Sequence, residues 1–93
     1  MTLSVLADIC RDQGKQDEAE GLYGRSLTAL EREFGADHPD VTIPLLGWGR
    51  LHMARGNHAA ADPLLQRVLT IRERVLGVDH PETVEARAEY ASL

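Results

Sequence analysis

The chain has 93 residues, of which 27% are charged, and a formal net charge of −5 at pH 7. This length leaves room for one small domain over 1–93, and the basic residues are interleaved with acidic ones, which excludes the clustered basic face of a nucleic-acid-binding protein. The single cysteine cannot form an internal disulfide, and no apolar run approaches the ~20 residues that span a bilayer, so we expect a cytoplasmic protein without membrane contact.

Helical periodicity dominates the first half of the chain. In residues 1–13 apolar side chains recur at spacings of three and four, which predicts a helix that ends at Gly14. A second helix has acidic residues in its first turn and ends at Gly35, where we predict a left-handed cap. A third helix begins at Asp37-His38-Pro39 and runs to about Arg55.

The second half follows the same plan. Gly56 separates the third helix from a fourth over residues 58–76, Gly77 ends the fourth, and a fifth begins at Asp79-His80-Pro81. No segment shows the two-residue alternation of a strand, so the sequence predicts an all-α fold of about five helices.

Both Asp-His-Pro sequences stand at predicted helix starts. We predict Asp37 and Asp79 as N-caps, because an aspartate oxygen can accept from a free amide of the first turn. Proline is tolerated there, since that turn needs no N–H from it. The spacing from Asp79 to Glu82 is also that of a capping box.

These two halves are copies of one unit at an offset of 42 residues, because Gly14–Pro39 reappears as Gly56–Pro81. A fixed period of this size indicates a supersecondary unit that buries its apolar face by stacking on further copies. We therefore divide the domain into a partial repeat at 1–35, a repeat at 36–77 and the first helix of a third repeat at 78–93.

The repeated unit resembles the tetratricopeptide repeat superfamily in its 42-residue form, which is found in kinesin light chain and in many bacterial signalling proteins. The resemblance rests on small residues inside helices, on turn glycines and on a Gly-x-Asp-His-Pro sequence. These positions are Ala7, Gly14, Gly35, Asp37, His38, Pro39, Gly49, Gly56, Gly77, Asp79, His80 and Pro81. The resemblance implies antiparallel helix pairs stacked into an α-α superhelix, without enzyme activity and without a cofactor.

The resemblance also implies that the first helix of each repeat lines a concave groove. By helical phase the residues that point into it are Ser4, Asp8, Arg11, Asp12, Ile43, Leu46, Arg50, Met53, Glu85, Ala88, Glu89 and Ser92. Leu46 and Met53 would give adaptable apolar contact, and Arg11 and Arg50 could each bind a carboxylate with two hydrogen bonds. The alternative is an ordinary solvated face on which Arg50 pairs with Asp8 or Glu89.

Two functions follow from this groove. The first is a scaffold that binds a protein or peptide partner there. The alternative is a structural repeat unit that self-associates through exposed repeat ends, or packs within a larger multidomain signalling protein. A third class, an enzyme, lacks both a nucleophile with a base and a phosphate-binding glycine loop.

Several chemically suggestive residues have simpler explanations. The two Asp-His pairs recur with the period at helix starts, so capping explains them and we predict no catalytic site. His52 and His58 flank a turn that should bring their rings together, but a closed zinc site needs four ligands, so packed neutral rings are favoured over a metal site. Cys10 is predicted to be a small buried thiol, and Trp48 to lie in the core.

Overall fold

A computed structural model describes residues 3–93, and this part of the chain folds into five α-helices and no strand. The helices are α1 (Leu3–Asp12), α2 (Gln16–Phe34), α3 (Thr42–Ala54), α4 (His58–Leu76) and α5 (Pro81–Ala91), with a 3-10 turn at Pro39–Val41 directly before α3. The prediction of an all-α fold with five helices is confirmed. None of the helices in residues 3–93 has the length and apolar character needed to cross a lipid bilayer.

The helices α1 and α2 run in opposite directions. Near the start of α1, Ser4 Oγ lies 2.7 Å from Ser26 Oγ in the second half of α2. Near the end of α1, Cys10 Sγ lies 3.9 Å from Glu18 Oε2 in the first turn of α2. The helices α3 and α4 form the next pair, and α5 packs on α4. The observed arrangement is thus the stack of helix pairs that the repeat period predicts.

Two clusters of buried side chains hold the stack together. The first joins α1, α2 and α3 and consists of Ala7, Cys10, Ala19, Tyr23 and Leu51. The second joins α3, α4 and α5 and consists of Val41, Leu45, Leu46, Ala61, Leu65, Val68, Ile71 and Ala86. Cys10 is the buried thiol that the sequence predicts, but Trp48 is only partly buried and packs at the edge of the first cluster.

The helix α3 is the centre of the stack, in contact with α1, α2 and α4. Two of its glycines allow this close approach. A Cβ atom added at Gly47 would lie 2.5 Å from Tyr23 Cε1, and one at Gly49 would lie 2.7 Å from Leu65 Cδ2. Gly49 therefore has to be small because it lies against Leu65, and Gly47 because it lies against the Tyr23 ring.

Glycines end the helices where the sequence predicts, but the conformation predicted for Gly35 is wrong. Gly35 and Gly77 have φ of 93° with ψ of 165° and 157°, which is extended backbone in a region reached almost only by glycine. The chain therefore leaves α2 and α4 in an extended direction rather than through a left-handed helical cap. Gly14 and Gly56, at the shorter turns, have φ of 79° and 74°.

The caps of the Asp-His-Pro sequences are the histidines. The Nδ1 atom of His38 accepts a hydrogen bond from the backbone N–H of Asp40 at 3.1 Å, and Nδ1 of His80 accepts from the backbone N–H of Glu82 at 3.1 Å. The predicted caps at Asp37 and Asp79 are wrong, and so is the capping box.

The position of proline explains this correction. Pro39 and Pro81 occupy the first turn, as predicted, and the residue directly before each of them is the N-cap. Each aspartate consequently stands one residue too early to reach a free amide. Asp37 instead lies 3.5 Å from Arg74 Nη1 on α4.

Candidate functional site

The helices α1, α3 and α5 meet along one side of the stack, which we call the α1–α3–α5 face. A cavity of about 180 Å³ on this face brings them together. Its lining residues are Asp8, Ile43, Leu46, Gly47, Arg50, Arg72 and Glu85. The structure thus joins the three helices that the resemblance predicts to line one groove.

Arg50 bridges α3 and α5 on this face. Its Nη2 lies 2.6 Å from Glu89 Oε1 and 3.4 Å from Glu85 Oε1, and its Nε donates to Glu89 Oε1 at 2.7 Å. The predicted pairing of Arg50 with Glu89 is confirmed. Two carboxylates already pair with this guanidinium, so a ligand carboxylate would have to displace them, and the binding of a partner by Arg50 stays a prediction.

Tyr23 reaches the same face from α2. Its hydroxyl donates a hydrogen bond to Asp8 Oδ1. Burial, and then the hydrogen bond to Asp8, raise the pKa of Tyr23 well above its usual value, so the phenol remains a neutral donor. Arg11 Nη1 lies 3.9 Å from Asp8 Oδ1 and donates to the Gly47 carbonyl at 3.3 Å. Arg11 is therefore engaged within the chain, and Asp8 is held by its neighbours.

Arg72 of α4 lies buried beneath the face, with 5% of its surface exposed. Its Nε donates to Thr42 Oγ1 at 3.2 Å and its Nη1 to the Glu82 carbonyl at 2.9 Å, while the nearest carboxylate oxygen, on Glu85, is 4.0 Å away. Burial lowers the pKa of Arg72. The guanidinium ties α4 to the starts of α3 and α5. This role could not be predicted from the repeat, because Leu30 holds the equivalent position one period earlier.

Three residues predicted to point into the groove instead lie between helices. Ser4 is 6% exposed and hydrogen-bonded to Ser26, Leu46 is 5% exposed at the floor of the cavity, and Met53 is partly buried against the second cluster. Leu46 therefore exposes little surface for the predicted adaptable contact, and the contact predicted for Met53 stays a prediction. Since α3 is packed by three other helices, only a narrow strip of its surface stays open.

A larger groove adjoins the cavity between α1, the end of α2 and the start of α3, and we call it the α1–α2–α3 groove. It has a volume of about 480 Å³. Its lining residues are Leu3, Ser4, Val5, Asp8, Ser26, Ala29, Leu30, Asp40 and Ile43. The groove exists because α2 continues from Ser26 to Phe34 past the start of α1, so that its last turns face the start of α3.

The predicted pair of histidine rings does not form in the described part of the chain. His52 stacks on Trp48, with ring centroids 6.3 Å apart and planes inclined by 20°, and His58 is exposed at the start of α4. The turn at Gly56 places His58 at the first position of α4 rather than against α3. Within residues 3–93 no group of three or more histidine, cysteine or acidic side chains could hold a metal ion.

Comparison with known proteins identifies a family for this chain. A scan against family models matches residues 1–40 and 49–82 to the tetratricopeptide repeat, and the two stretches together cover more than half of the chain. A search of curated proteins finds no match.

Proposed function

We propose that this chain, which belongs to the tetratricopeptide repeat family, is a protein-interaction module that holds an extended segment of a partner on the α1–α3–α5 face. The family generally mediates protein-protein interaction and is a non-catalytic scaffold type. One observation supports the choice of this face. Val5 and Ile43 expose 47% and 53% of their surface, both line the α1–α2–α3 groove, and Ile43 also lines the 180 Å³ cavity.

Exposed apolar side chains of this kind favour a partner for two physical reasons. Apolar surface rimmed by polar groups is typical of contact sites, and concave surface buries more of a ligand than a flat one. Fully burying an aliphatic side chain contributes roughly 1.5 to 3 kcal/mol of favourable free energy. Covering two half-exposed side chains therefore contributes about as much, out of the ~8 kcal/mol of binding free energy that a micromolar Kd requires.

A library of random peptides displayed on phage, panned on the chain, tests this proposal. We expect selected peptides to lose affinity for Ile43→Ser and to keep it for Val75→Ser. Val75 is the matched control, because it exposes 49% of its surface on α4, outside the proposed site. Equal loss in both variants, or peptides that bind both as well as wild type, would contradict the proposed face.

The second candidate function is a structural repeat unit that packs on copies of itself. Further exposed apolar side chains favour it, namely Leu6 and Ile9 on α1, and Val75, Val78 and Val84 near the turn between α4 and α5. Sedimentation over a range of concentrations tests it, and a strictly monomeric 10.3 kDa species at high concentration would argue against it. The kinesin-light-chain-like subtype, the signalling context and the cytoplasmic location stay predictions of the sequence.

A further inference from the structure

We infer that the α1–α2–α3 groove takes a basic segment of a partner protein, in which a bulky aliphatic side chain is flanked by lysine or arginine. This inference rests on the proposed function and adds the chemistry of the partner. It comes from two properties of the groove, an apolar floor and a rim whose charges have one sign.

The floor of the groove is aliphatic. Leu3, Val5 and Ile43 supply it from α1 and α3, and Ala29 and Leu30 from α2. The floor also holds two polar side chains, Ser4 and Ser26, whose hydroxyls are hydrogen-bonded to each other at 2.7 Å. An occupant therefore gains mainly by burying apolar surface, which an aliphatic side chain does without leaving a polar atom unpaired.

The rim of the groove is acidic. Asp8 and Asp40 line it, with side chains 47% and 51% exposed, and within residues 3–93 no basic residue is among its lining residues. Tyr23 anchors Asp8 in place through its hydroxyl. Nδ1 of His38 lies 3.9 Å from Asp40 Oδ2 and accepts a hydrogen bond from the backbone N–H of Asp40.

The arginines near the groove offset these two carboxylates only in part, because Arg11 lies between Asp8 and Asp12, and in residues 3–93 no arginine or lysine pairs with Asp40. Arg50 is taken by Glu85 and Glu89, and Arg72 is buried against Thr42 and the Glu82 carbonyl. Arg11 lies close to Asp8 and donates a hydrogen bond from one guanidinium nitrogen to the Gly47 carbonyl. With a chain of net charge −5, the field at this groove favours a cationic segment and disfavours an acidic one.

The second repeat has a smaller counterpart of this groove, the cavity of about 180 Å³, in which arginines stand one period after Asp8 and Leu30, at Arg50 and Arg72. The positions one period after Ser26 and Leu30 are Val68 and Arg72, which are 0% and 5% exposed. Arg72 fills part of the corresponding space with its hydrogen bond to Thr42. A partner that recognises this groove is therefore held at one point of the stack and not at every repeat.

Three short synthetic peptides test the inference, each with the same central pair of leucines flanked by lysines, by glutamines or by glutamates. Each is titrated into the isotope-labelled chain, and amide shifts are followed by NMR at low and at physiological salt. We expect the lysine peptide to bind most tightly, to shift the amides of residues 3–8 and 40–43, and to weaken as salt is added.

Substitutions then identify which carboxylate of the chain attracts the lysines of the peptide. We expect Asp40→Asn to weaken the lysine peptide about threefold to fivefold at low salt, the effect of one partly exposed ion pair, and to leave the glutamine peptide unchanged. Asp79→Asn is the matched control, because it makes the same change of net charge at an exposed site outside the groove. It should leave all three affinities unchanged.

The outcomes separate this inference from the proposed function. Preferred binding of the glutamate peptide in the same groove would overturn the inference and leave the proposed face standing. Shifts confined to α2 and α4 residues away from the groove, or no shifts with any peptide, would overturn the inference, while the phage selection decides the proposed function independently. Groove shifts that grow with protein concentration alone would show that a second copy is the occupant, which also overturns it.

Discussion

Gly47→Ala should have two opposing effects on the free energy of unfolding, and the size of each can be estimated from the structure. Alanine is favoured over glycine inside a helix by about 0.5 to 1 kcal/mol, which by itself would stabilise α3. Against this, the new Cβ would lie 2.5 Å from Tyr23 Cε1 and 2.7 Å from Tyr23 Oη. Tyr23 is fully buried and its hydroxyl is tied to Asp8, so its ring cannot swing away. Overpacking of this kind costs roughly 1 to 3 kcal/mol, so we expect a net loss of about 1 to 2 kcal/mol.

Gly21→Ala is the matched control for this experiment. Gly21 also lies inside a helix, but a Cβ there has nothing within 4 Å, so we expect it to stabilise the chain by about 0.5 to 1 kcal/mol. Urea unfolding followed by helical circular dichroism measures both variants. If Gly47→Ala were as stable as Gly21→Ala, the close packing of Tyr23 under α3 would be refuted. In a Tyr23→Leu background the cost of Gly47→Ala should shrink, because the two residues are in contact.

The remaining predictions concern caps, the buried arginine, the buried tyrosine and zinc. Because a histidine is the N-cap of α5, His80→Ala should lower the free energy of unfolding by about 1 kcal/mol, and Asp79→Ala by less than about half of that, as measured by thermal unfolding. The reverse order would indicate that the aspartate is the N-cap. Arg72→Ala should lower the free energy of unfolding in urea by about 2 to 4 kcal/mol, because it removes two buried hydrogen bonds and leaves a cavity. A loss below about 1 kcal/mol would show that the guanidinium does not stabilise the fold. Folding raises the pKa of Tyr23, so the stability that the neutral phenol contributes is complete below about pH 10 and is lost as the pH rises further. The free energy of unfolding should therefore fall less steeply with pH in Tyr23→Phe than in the wild type. Identical slopes would contradict this reasoning. Stoichiometric zinc should leave the melting temperature unchanged, because His52 stacks on Trp48; a clear rise would contradict that packing.

Much of this fold can be predicted from the sequence, because helix periodicity and turn glycines are local signals. The stripe of residues 1–13 predicts α1, and the glycines at 35 and 77 mark the ends of α2 and α4. The caps could not be assigned correctly by residue preference alone. Aspartate is the better N-cap on average, but the geometry of a first-turn proline gives that position to the preceding residue, which is histidine in both copies.

The site is less predictable, because it depends on which side of each helix its neighbours cover. Helical phase correctly associates Asp8, Arg50 and Glu85, which share one cavity. It overestimates the exposure of Leu46, which lines the same cavity, since the packing of α1, α2 and α4 around α3 covers a position that an isolated helix would expose. The hydrogen bond from Arg11 to the Gly47 carbonyl could not be predicted in this way, because that partner comes from a helix 36 residues away in the chain.

A crystal structure of the chain with the tightest-binding peptide from the phage selection tests the central claim most directly. The account predicts the peptide on the α1–α3–α5 face, with an apolar side chain over Val5 and Ile43. A peptide bound on the outer surface of α2 and α4, with Ile43 still exposed to solvent, would contradict it.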